Sequence, residues 1–108
     1  MFLVDFIMVY VTAVSKVEAE KIACVLLEER LIACVNVVGP VSSYFYWAGK
    51  IDSVEEYLMI MKTEARLFVG LEGRVRALHS YDVPEIVAVP IVEGCQRYFD
   101  WMINVISR

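Results

Sequence analysis

The stretch Ser42-Ser43-Tyr44-Phe45-Tyr46-Trp47-Ala48-Gly49-Lys50-Ile51 decides the fold, because it contains the turn of a long β-hairpin. An extended arm leads into it from Ala33, with an irregularity at Gly39-Pro40, and a second arm returns from Ile51 to Lys62. A dozen or more residues in each arm is long for a chain of 108 residues. We therefore expect the hairpin to project beyond its own subunit and to pair with a neighbouring one.

The segment before the hairpin has the pattern of a strand followed by a helix. The apolar run from Asp5 to Thr12 predicts an interior strand. The capping box Ser15-Lys16-Val17-Glu18 starts a helix that we expect to reach about Leu31. The buried side of this helix is predicted to consist of Ala19, Ile22, Ala23 and Leu26.

The segment after the hairpin has the pattern of helix, strand and helix. Thr63 is predicted to cap the first of these helices, whose apolar face comprises Phe68, Leu71, Val75 and Leu78. A fourth strand is expected from Glu85 to Val92, with Pro90 marking an edge or a bend. The last helix is expected from Cys95 to Ile106, and its apolar side comprises Phe99, Met102, Ile103 and Ile106.

This order of elements predicts one α+β domain over residues 1–108, with the ferredoxin-like split βαβ arrangement and an added C-terminal helix. Both crossover helices then lie on one face of an antiparallel sheet, and the other face needs a cover. Because 59% of the residues are apolar, we expect the sheet of another copy to provide it. The prediction is a cyclic homo-oligomer.

Composition excludes several classes of partner and compartment. The net charge is −4 and the basic residues form no block, so nucleic acid binding is not expected. The apolar runs fall short of the ~20 residues of a membrane-spanning helix, and no signal peptide pattern precedes them. Three cysteines without CxxC spacing are expected to be reduced thiols. We expect a cytoplasmic protein with neither a nucleic acid nor a membrane partner.

The segment from Leu78 to Ile86 is the main candidate for a functional site, because it contains the only histidine of the chain, His79. A neutral imidazole can ligate copper or zinc, and Asp82, Glu85 or a symmetry-related residue would complete the ligand set. The alternative is that His79 caps the carbonyl groups at the end of the preceding helix. Carboxylates alone would give weaker binding of divalent cations.

Several spaced motifs resemble the CutA divalent-cation-tolerance proteins. They are Val11-Thr12-Ala13, Ala33-Cys34-Val35-Asn36, Tyr46-Trp47-Ala48-Gly49-Lys50, Met59-Ile60-Met61-Lys62-Thr63, His79-Ser80-Tyr81-Asp82-Val83-Pro84-Glu85 and Tyr98-Phe99-Asp100-Trp101. The resemblance covers nearly the whole chain in the same order. It implies a ferredoxin-like subunit in a tight homotrimer, similar in architecture to the PII signalling proteins, with a link to copper tolerance and divalent metal binding.

This sequence departs from copper-binding relatives at two ligand positions. Such relatives can carry a cysteine immediately before the threonine of the first strand, where Val11 stands here. They can also carry two adjacent histidines where this chain has Leu78-His79. One of the three ligands that the resemblance implies is therefore present.

The resemblance also implies a cleft between subunits, which would gather Trp47, Glu56, Lys62, Tyr81, Pro84 and Glu85. Glu56 and Lys62 lie six residues apart, on the same face of one strand. One interpretation is an ion-pair network that fixes the register of the oligomer. The other is a pocket for a small anion or metabolite that uses Lys62 and the hydroxyl of Tyr81.

The sequence contains no triad, P-loop, dinucleotide fingerprint or HExxH motif, so an enzyme is not expected. Our first hypothesis is a homotrimer acting in divalent cation tolerance, with no required cofactor and modest metal binding, of copper in particular. The alternative is a PII-like sensor that binds a small anion in its intersubunit cleft and a target through its hairpin.

The three cysteines differ in their expected surroundings. Cys24, in the first helix, and Cys34, in an apolar strand, are expected to be inert core residues. Cys95 stands at the start of the last helix, where the helix dipole favours the thiolate.

Overall fold

The computed structural model describes residues 5–107. Its elements are β1 (Phe6–Ala13), α1 (Lys16–Glu28), β2 (Cys34–Trp47), β3 (Lys50–Glu64), α2 (Phe68–Leu78), β4 (Ile86–Pro90) and α3 (Gln96–Ile106). The four strands form one antiparallel sheet in the order β2-β3-β1-β4. The predicted α+β fold with the ferredoxin-like order of elements is confirmed.

One face of the sheet is covered by α1 and α2, and the main core lies between them. Side chains that alternate along the two central strands line this face, namely Ile7, Val9, Val11 and Ala13 in β1 and Met59 and Met61 in β3. Helix α1 contributes Ala19, Ile22, Ala23 and Leu26, as its spacing predicted. Helix α2 contributes Leu71 and Val75, with Phe68 and Leu78 packed at the margin.

The start of α1 follows the predicted capping box in one of its two bonds. The Ser15 hydroxyl oxygen accepts a hydrogen bond from the backbone N–H of Glu18 at 3.1 Å. The Glu18 carboxylate, however, accepts from the N–H of Val14 rather than from that of Ser15, at 2.9 Å. This hydrogen bond connects helix α1 to Val14, the residue that follows β1.

Helix α1 ends at Glu28, earlier than the predicted Leu31. Arg30 adopts a positive φ of 60°, and its N–H donates to the carbonyl of Leu27. The N–H of Leu31 donates to the carbonyl of Leu26, which completes a Schellman motif without a glycine. The sequence hid this end because glycine is the usual residue at the left-handed position.

The hairpin of β2 and β3 is the longest feature of the sheet. Its arms pair continuously from Cys34 opposite Lys62 to Trp47 opposite Lys50, apart from a register shift at the predicted irregularity, where Gly39-Pro40 is a cis peptide. Ala48 and Gly49 both have positive φ, as a two-residue hairpin turn with the twist of the strands requires. The side chain of Trp47 beside the turn is 70% exposed.

Thr63 does not cap α2, contrary to the sequence prediction. It lies inside β3 opposite Ile7, is fully buried, and donates its hydroxyl to the carbonyl of Leu31 at 2.7 Å. A short 3-10 turn at Ala65–Leu67 leads into α2 instead, and no side chain caps the helix. The β-branched threonine favours the strand, and a buried acceptor for its hydroxyl compensates for its burial.

Helix α3 covers only part of the second sheet face. Phe6, Ala33, Met102 and Ile106 form a separate small core, in which the rings of Phe6 and Phe99 stack at 4.4 Å. The predicted apolar side of α3 is confirmed, because Phe99 and Ile103 also pack against this cluster.

The rest of this second face carries a group of apolar side chains, here called the open sheet face, with Thr12 and Asn36 as polar neighbours. The group consists of Met8, Tyr10, Val38, Leu58, Ile60, Val87 and Val89. Four of these side chains are half-buried and the three valines are exposed, Val87 at 49%. A contiguous apolar row across four strands is unusual for a surface in contact with water.

The edge strand β4 is shorter than expected, since it ends at Pro90 rather than at Val92. Its position beside β1 at the margin of the sheet agrees with the edge role predicted for the proline.

Within residues 5–107, no helix combines the length and the apolar character that crossing a membrane requires.

Candidate functional site

His79 ends helix α2, but its side chain serves a different part of the chain. Its ring is fully buried, and Nε2 lies 2.7 Å from the carbonyl oxygen of Thr12 in β1. The backbone N–H of Tyr81 donates to Nδ1 at 3.0 Å. Because a carbonyl can only accept and an N–H can only donate, the neutral ring carries its proton on Nε2. His79 does cap a carbonyl, though not one of the helix carbonyls that the sequence suggested.

Glu18 of α1 contacts the segment after α2, and the sequence did not single it out as part of the site. One carboxylate oxygen accepts from the N–H of Val14 and the other from the N–H of Ser80, at 2.6 Å. His79 Nδ1 lies 3.9 Å from Glu18 Oε1, the oxygen that accepts from the N–H of Ser80. Partial burial acts to raise the pKa of Glu18, but the hydrogen bonds from Val14 and Ser80 outweigh it and lower the pKa.

The three predicted metal ligands do not form a metal site within one chain. Asp82 and Glu85 are exposed, whereas the His79 ring is enclosed and uses both nitrogens in hydrogen bonds. Among residues 5–107, no group of three His, Cys, Asp or Glu side chains is placed to hold a metal ion. A copper ion at His79 would have to displace the Tyr81 N–H or the Thr12 carbonyl, so these residues do not fit a closed copper site in the single chain.

Two of the six predicted cleft residues meet directly. The Tyr81 hydroxyl donates to a carboxylate oxygen of Glu56 at 3.0 Å, and the Glu56 residue is only 6% exposed. Burial, followed by the hydrogen bond to Glu56, raises the pKa of Tyr81, so the phenol remains a donor. Tyr81 also lies against His79, with ring centroids 4.9 Å apart.

Lys62 belongs to a different group of side chains, which the sequence analysis did not assemble. Its Nζ donates to the side-chain oxygen of Asn36 at 2.8 Å and lies 3.9 Å from the sulfur of Cys34. The Tyr98 hydroxyl is 3.1 Å from the same sulfur. Burial, followed by the contact with Cys34, raises the pKa of Tyr98 to about 12. The only signal for this group was that its residues occur in the motifs shared with the CutA proteins.

The remaining predicted cleft residues lie elsewhere in the chain. Trp47 stands near the hairpin tip, Pro84 is half-buried after the His79 turn, and Glu85 is exposed beside it. The cleft between subunits therefore stays a prediction, and the single chain brings together only part of its residues. Tyr81 and Glu56 contact each other, whereas Lys62 and Tyr81 do not meet.

The cysteines differ from their predicted surroundings. Cys24 is exposed, because it lies on the side of α1 that faces away from the sheet. Cys34 is half-buried and shares the side of the sheet that carries Lys62. Cys95 is the N-cap residue of α3 and is exposed, which agrees with its predicted position.

Comparison with known proteins identifies the family. The profile of the CutA1 divalent ion tolerance proteins matches residues 7–105, which includes every element described above except the first residue of β1 and the last of α3. This chain is a member of that family. The resemblance found in the spaced motifs is thereby confirmed.

Individual relatives agree with this assignment. The divalent-cation tolerance protein CutA of Archaeoglobus fulgidus is 46% identical over 94 residues, which cover 87% of this chain and 91% of the relative. The chloroplastic protein CutA of Arabidopsis thaliana is 42% identical over 101 residues, or 94% of this chain and 56% of that protein. The solved structure of the periplasmic divalent cation tolerance protein CutA from Archaeoglobus fulgidus has a TM-score of 0.91 at 42% identity, covering 94% of this chain and 98% of its own.

The names of the family and of the Archaeoglobus fulgidus relative describe divalent cation tolerance and not an enzymatic reaction. The names of the relatives also place CutA proteins in more than one compartment, since one is called periplasmic and another chloroplastic. The cytoplasmic location expected from the sequence stays a prediction.

Proposed function

We propose that this chain acts in divalent cation tolerance as a homotrimer, in which the copies bury the open sheet face against one another. The observation that carries the proposal is the apolar row formed by this face. Each fully buried aliphatic side chain contributes roughly 1.5–3 kcal/mol relative to an exposed one, so covering the row favours association. Two free sheet edges, β2 and β4, are also available for contact in a closed ring.

Sedimentation equilibrium at micromolar concentration tests the assembly. We expect a mass of three times the 12.3 kDa of one chain. Ile60→Glu, on the open sheet face, should shift the protein to the monomer because it places a charge in the buried contact. Val69→Glu is the matched control, since Val69 is 79% exposed on α2, away from this face. A wild-type monomer, or equal effects of the two variants, would refute the proposal.

We further propose that the protein binds divalent cations modestly, with copper as the favoured metal, through the exposed carboxylates of Asp82 and Glu85. This assignment leaves the hydrogen bonds of His79 in place, and oxygen ligands of this kind give weak binding. Isothermal titration with Cu²⁺ should give an affinity tighter than millimolar that the double variant D82N/E85Q weakens. Glu20→Gln, an exposed carboxylate on α1, serves as the control. The absence of wild-type binding below millimolar copper would overturn this part.

A second candidate function is PII-like sensing of a small anion, and the Lys62 ammonium favours it. Among residues 5–107, this group has hydrogen bonds to Asn36 and Cys34 but no ion pair with a carboxylate. A thermal-shift screen with inorganic phosphate, nucleotides and small carboxylic acids tests this candidate. It predicts stabilisation that Lys62→Met abolishes and that Lys50→Met, at the exposed hairpin tip, retains.

A further inference from the structure

The open sheet face has a charged group at each end, and the two charges are opposite. Lys62 lies opposite Met8, in the same row as Val89, at one end of this face. Glu56 lies at the other end, two residues before Leu58 in β3, and shares its side of the strand. The apolar residues of the open sheet face lie between them.

Neither charge has an ion-pair partner among residues 5–107. Within the described part of the chain, the Glu56 carboxylate has one hydrogen-bond partner, the neutral hydroxyl of Tyr81. The Lys62 ammonium donates to a neutral amide oxygen, that of Asn36. The two groups cannot reach each other, because six residues of strand separate them by roughly 20 Å.

Other charges beside this face are already accounted for. Glu64 is the other buried carboxylate on this side of β3, and Arg66 pairs with it at 3.0 Å. Lys50 and Asp52, near the hairpin tip, are exposed to water, which can solvate their charges. Glu56 and Lys62 are thus the two charges that association through the open sheet face would leave in apolar surroundings.

We infer that Lys62 of one copy forms an ion pair with Glu56 of the next copy around the ring. The inference rests on the proposed self-association, because only a second copy can supply the missing charge. Burying either group without a partner is costly, whereas a head-to-tail ring pairs every carboxylate with one ammonium.

Neighbouring side chains prepare both groups for this contact. The Tyr81 hydroxyl orients one carboxylate oxygen of Glu56 and leaves the second oxygen free to accept. Asn36 engages one of the three ammonium hydrogens of Lys62 and leaves the others to donate. The Glu56 carboxylate and the Lys62 ammonium are thus held in position before the copies meet, which lowers the entropic cost of the contact.

Charge reversal tests the pair. E56K and K62E should each weaken association about 30-fold or more, measured as the dissociation constant by sedimentation equilibrium. The double variant E56K/K62E should recover most of this loss, because the pair reforms with its charges exchanged. K21E is the matched control, because Lys21 is exposed on α1, on the other side of the sheet, and it should leave the dissociation constant unchanged within about threefold.

The outcomes separate this inference from the proposed trimer. A monomeric wild type refutes the self-association itself. A trimeric wild type in which the double variant is no better than the worse single variant refutes only the ion pair. An effect of K21E as large as that of K62E would assign the losses to the change in net charge, and the inference is then wrong.

Neutral variants serve where a reversed chain fails to fold, as judged by circular dichroism. E56Q, K62M and their combination form a double-mutant cycle, and the pair requires losses that are clearly less than additive. A last experiment measures association of the wild type and of K62M in the presence of inorganic phosphate. If phosphate strengthens the wild-type assembly and has no effect on K62M, a small anion is the partner of Lys62 and the inference fails.

Discussion

The two faces of this sheet bury their side chains by different means. The face beneath α1 and α2 is completed by the chain itself, and its central residues, such as Val9, Met59 and Leu26, have no exposed surface. The opposite face is covered by α3 at one end only, and its apolar row stays accessible. The first face therefore determines whether the chain folds, and the second is the surface through which the proposed association would occur.

The largest expected effect lies on the covered face. Leu26→Ala should lower the free energy of unfolding by roughly 2–5 kcal/mol, because it leaves a cavity between α1 and the sheet. Urea denaturation monitored by circular dichroism measures the change. Leu27→Ala is a matched control in the same helix, since Leu27 is exposed and should cost less than about 1 kcal/mol. Equal losses would show that burial against the sheet does not explain the effect of Leu26→Ala.

A smaller effect is expected where His79 joins the end of β1 to the turn after α2. His79→Ala should destabilise the fold by roughly 1–3 kcal/mol, because it leaves the Thr12 carbonyl and the Tyr81 N–H without their partner. The same urea titration measures it. A loss below a few tenths of a kcal/mol would show that water replaces the ring, and the linking role would then be wrong.

The next effect is confined to acidic pH. The folded pKa of Glu18 lies below its usual value of 4.5, so the ionised carboxylate stabilises the fold above that pH. This contribution is lost as pH falls below 4.5 through the folded pKa. Glu18→Gln should flatten the decline in stability over this range, in urea titrations at a series of pH values. Glu20→Gln should retain the wild-type decline, and an identical decline in Glu18→Gln would exclude the linkage.

The smallest effect belongs to the partly covered side of the sheet. The pKa of Tyr98 is raised to about 12, so the folded state keeps its phenolic proton above the usual value of 10. The protonated phenol of Tyr98 stabilises the folded state below pH 10, and this stabilisation is lost as the pH rises toward 12. An ultraviolet titration should show late tyrosine steps, because the pKa of Tyr81 is raised too, and Tyr98→Phe should remove the step near pH 12. Tyr44→Phe, at an exposed position, should leave that late step intact.

The covered face was largely predictable from the sequence. Helical spacing identified Ile22 and Leu26, and the glycine-containing turn at 48–50 placed the hairpin. These signals are local, because each depends on neighbours within a few residues along the chain. The errors fall where a tertiary contact outweighs a local preference. Thr63 has a cap-forming side chain but is held in β3 by the carbonyl of Leu31.

The candidate site was less predictable, because its contacts join distant parts of the sequence. The bond between Glu18 and Ser80 spans 62 residues, and no local pattern indicates it. The prediction of His79 as a metal ligand treated its ring as available, whereas burial gives both nitrogens protein partners. Exposure of Cys24 escaped prediction for a simpler reason, since cysteine is apolar enough to suit either side of a helix.

The exposure of the aromatic residues near the hairpin tip and on α3 has a practical consequence for spectroscopy. The chain contains two tryptophans, and in the single chain Trp47 is 70% and Trp101 is 44% exposed. Neither indole lies in the core beneath α1 and α2, so their emission should respond weakly to loss of that core. Their emission wavelength should instead depend on protein concentration, shifting to the blue when a neighbouring copy covers the rings. If the proposed trimer forms, intrinsic fluorescence should report its assembly rather than its folding.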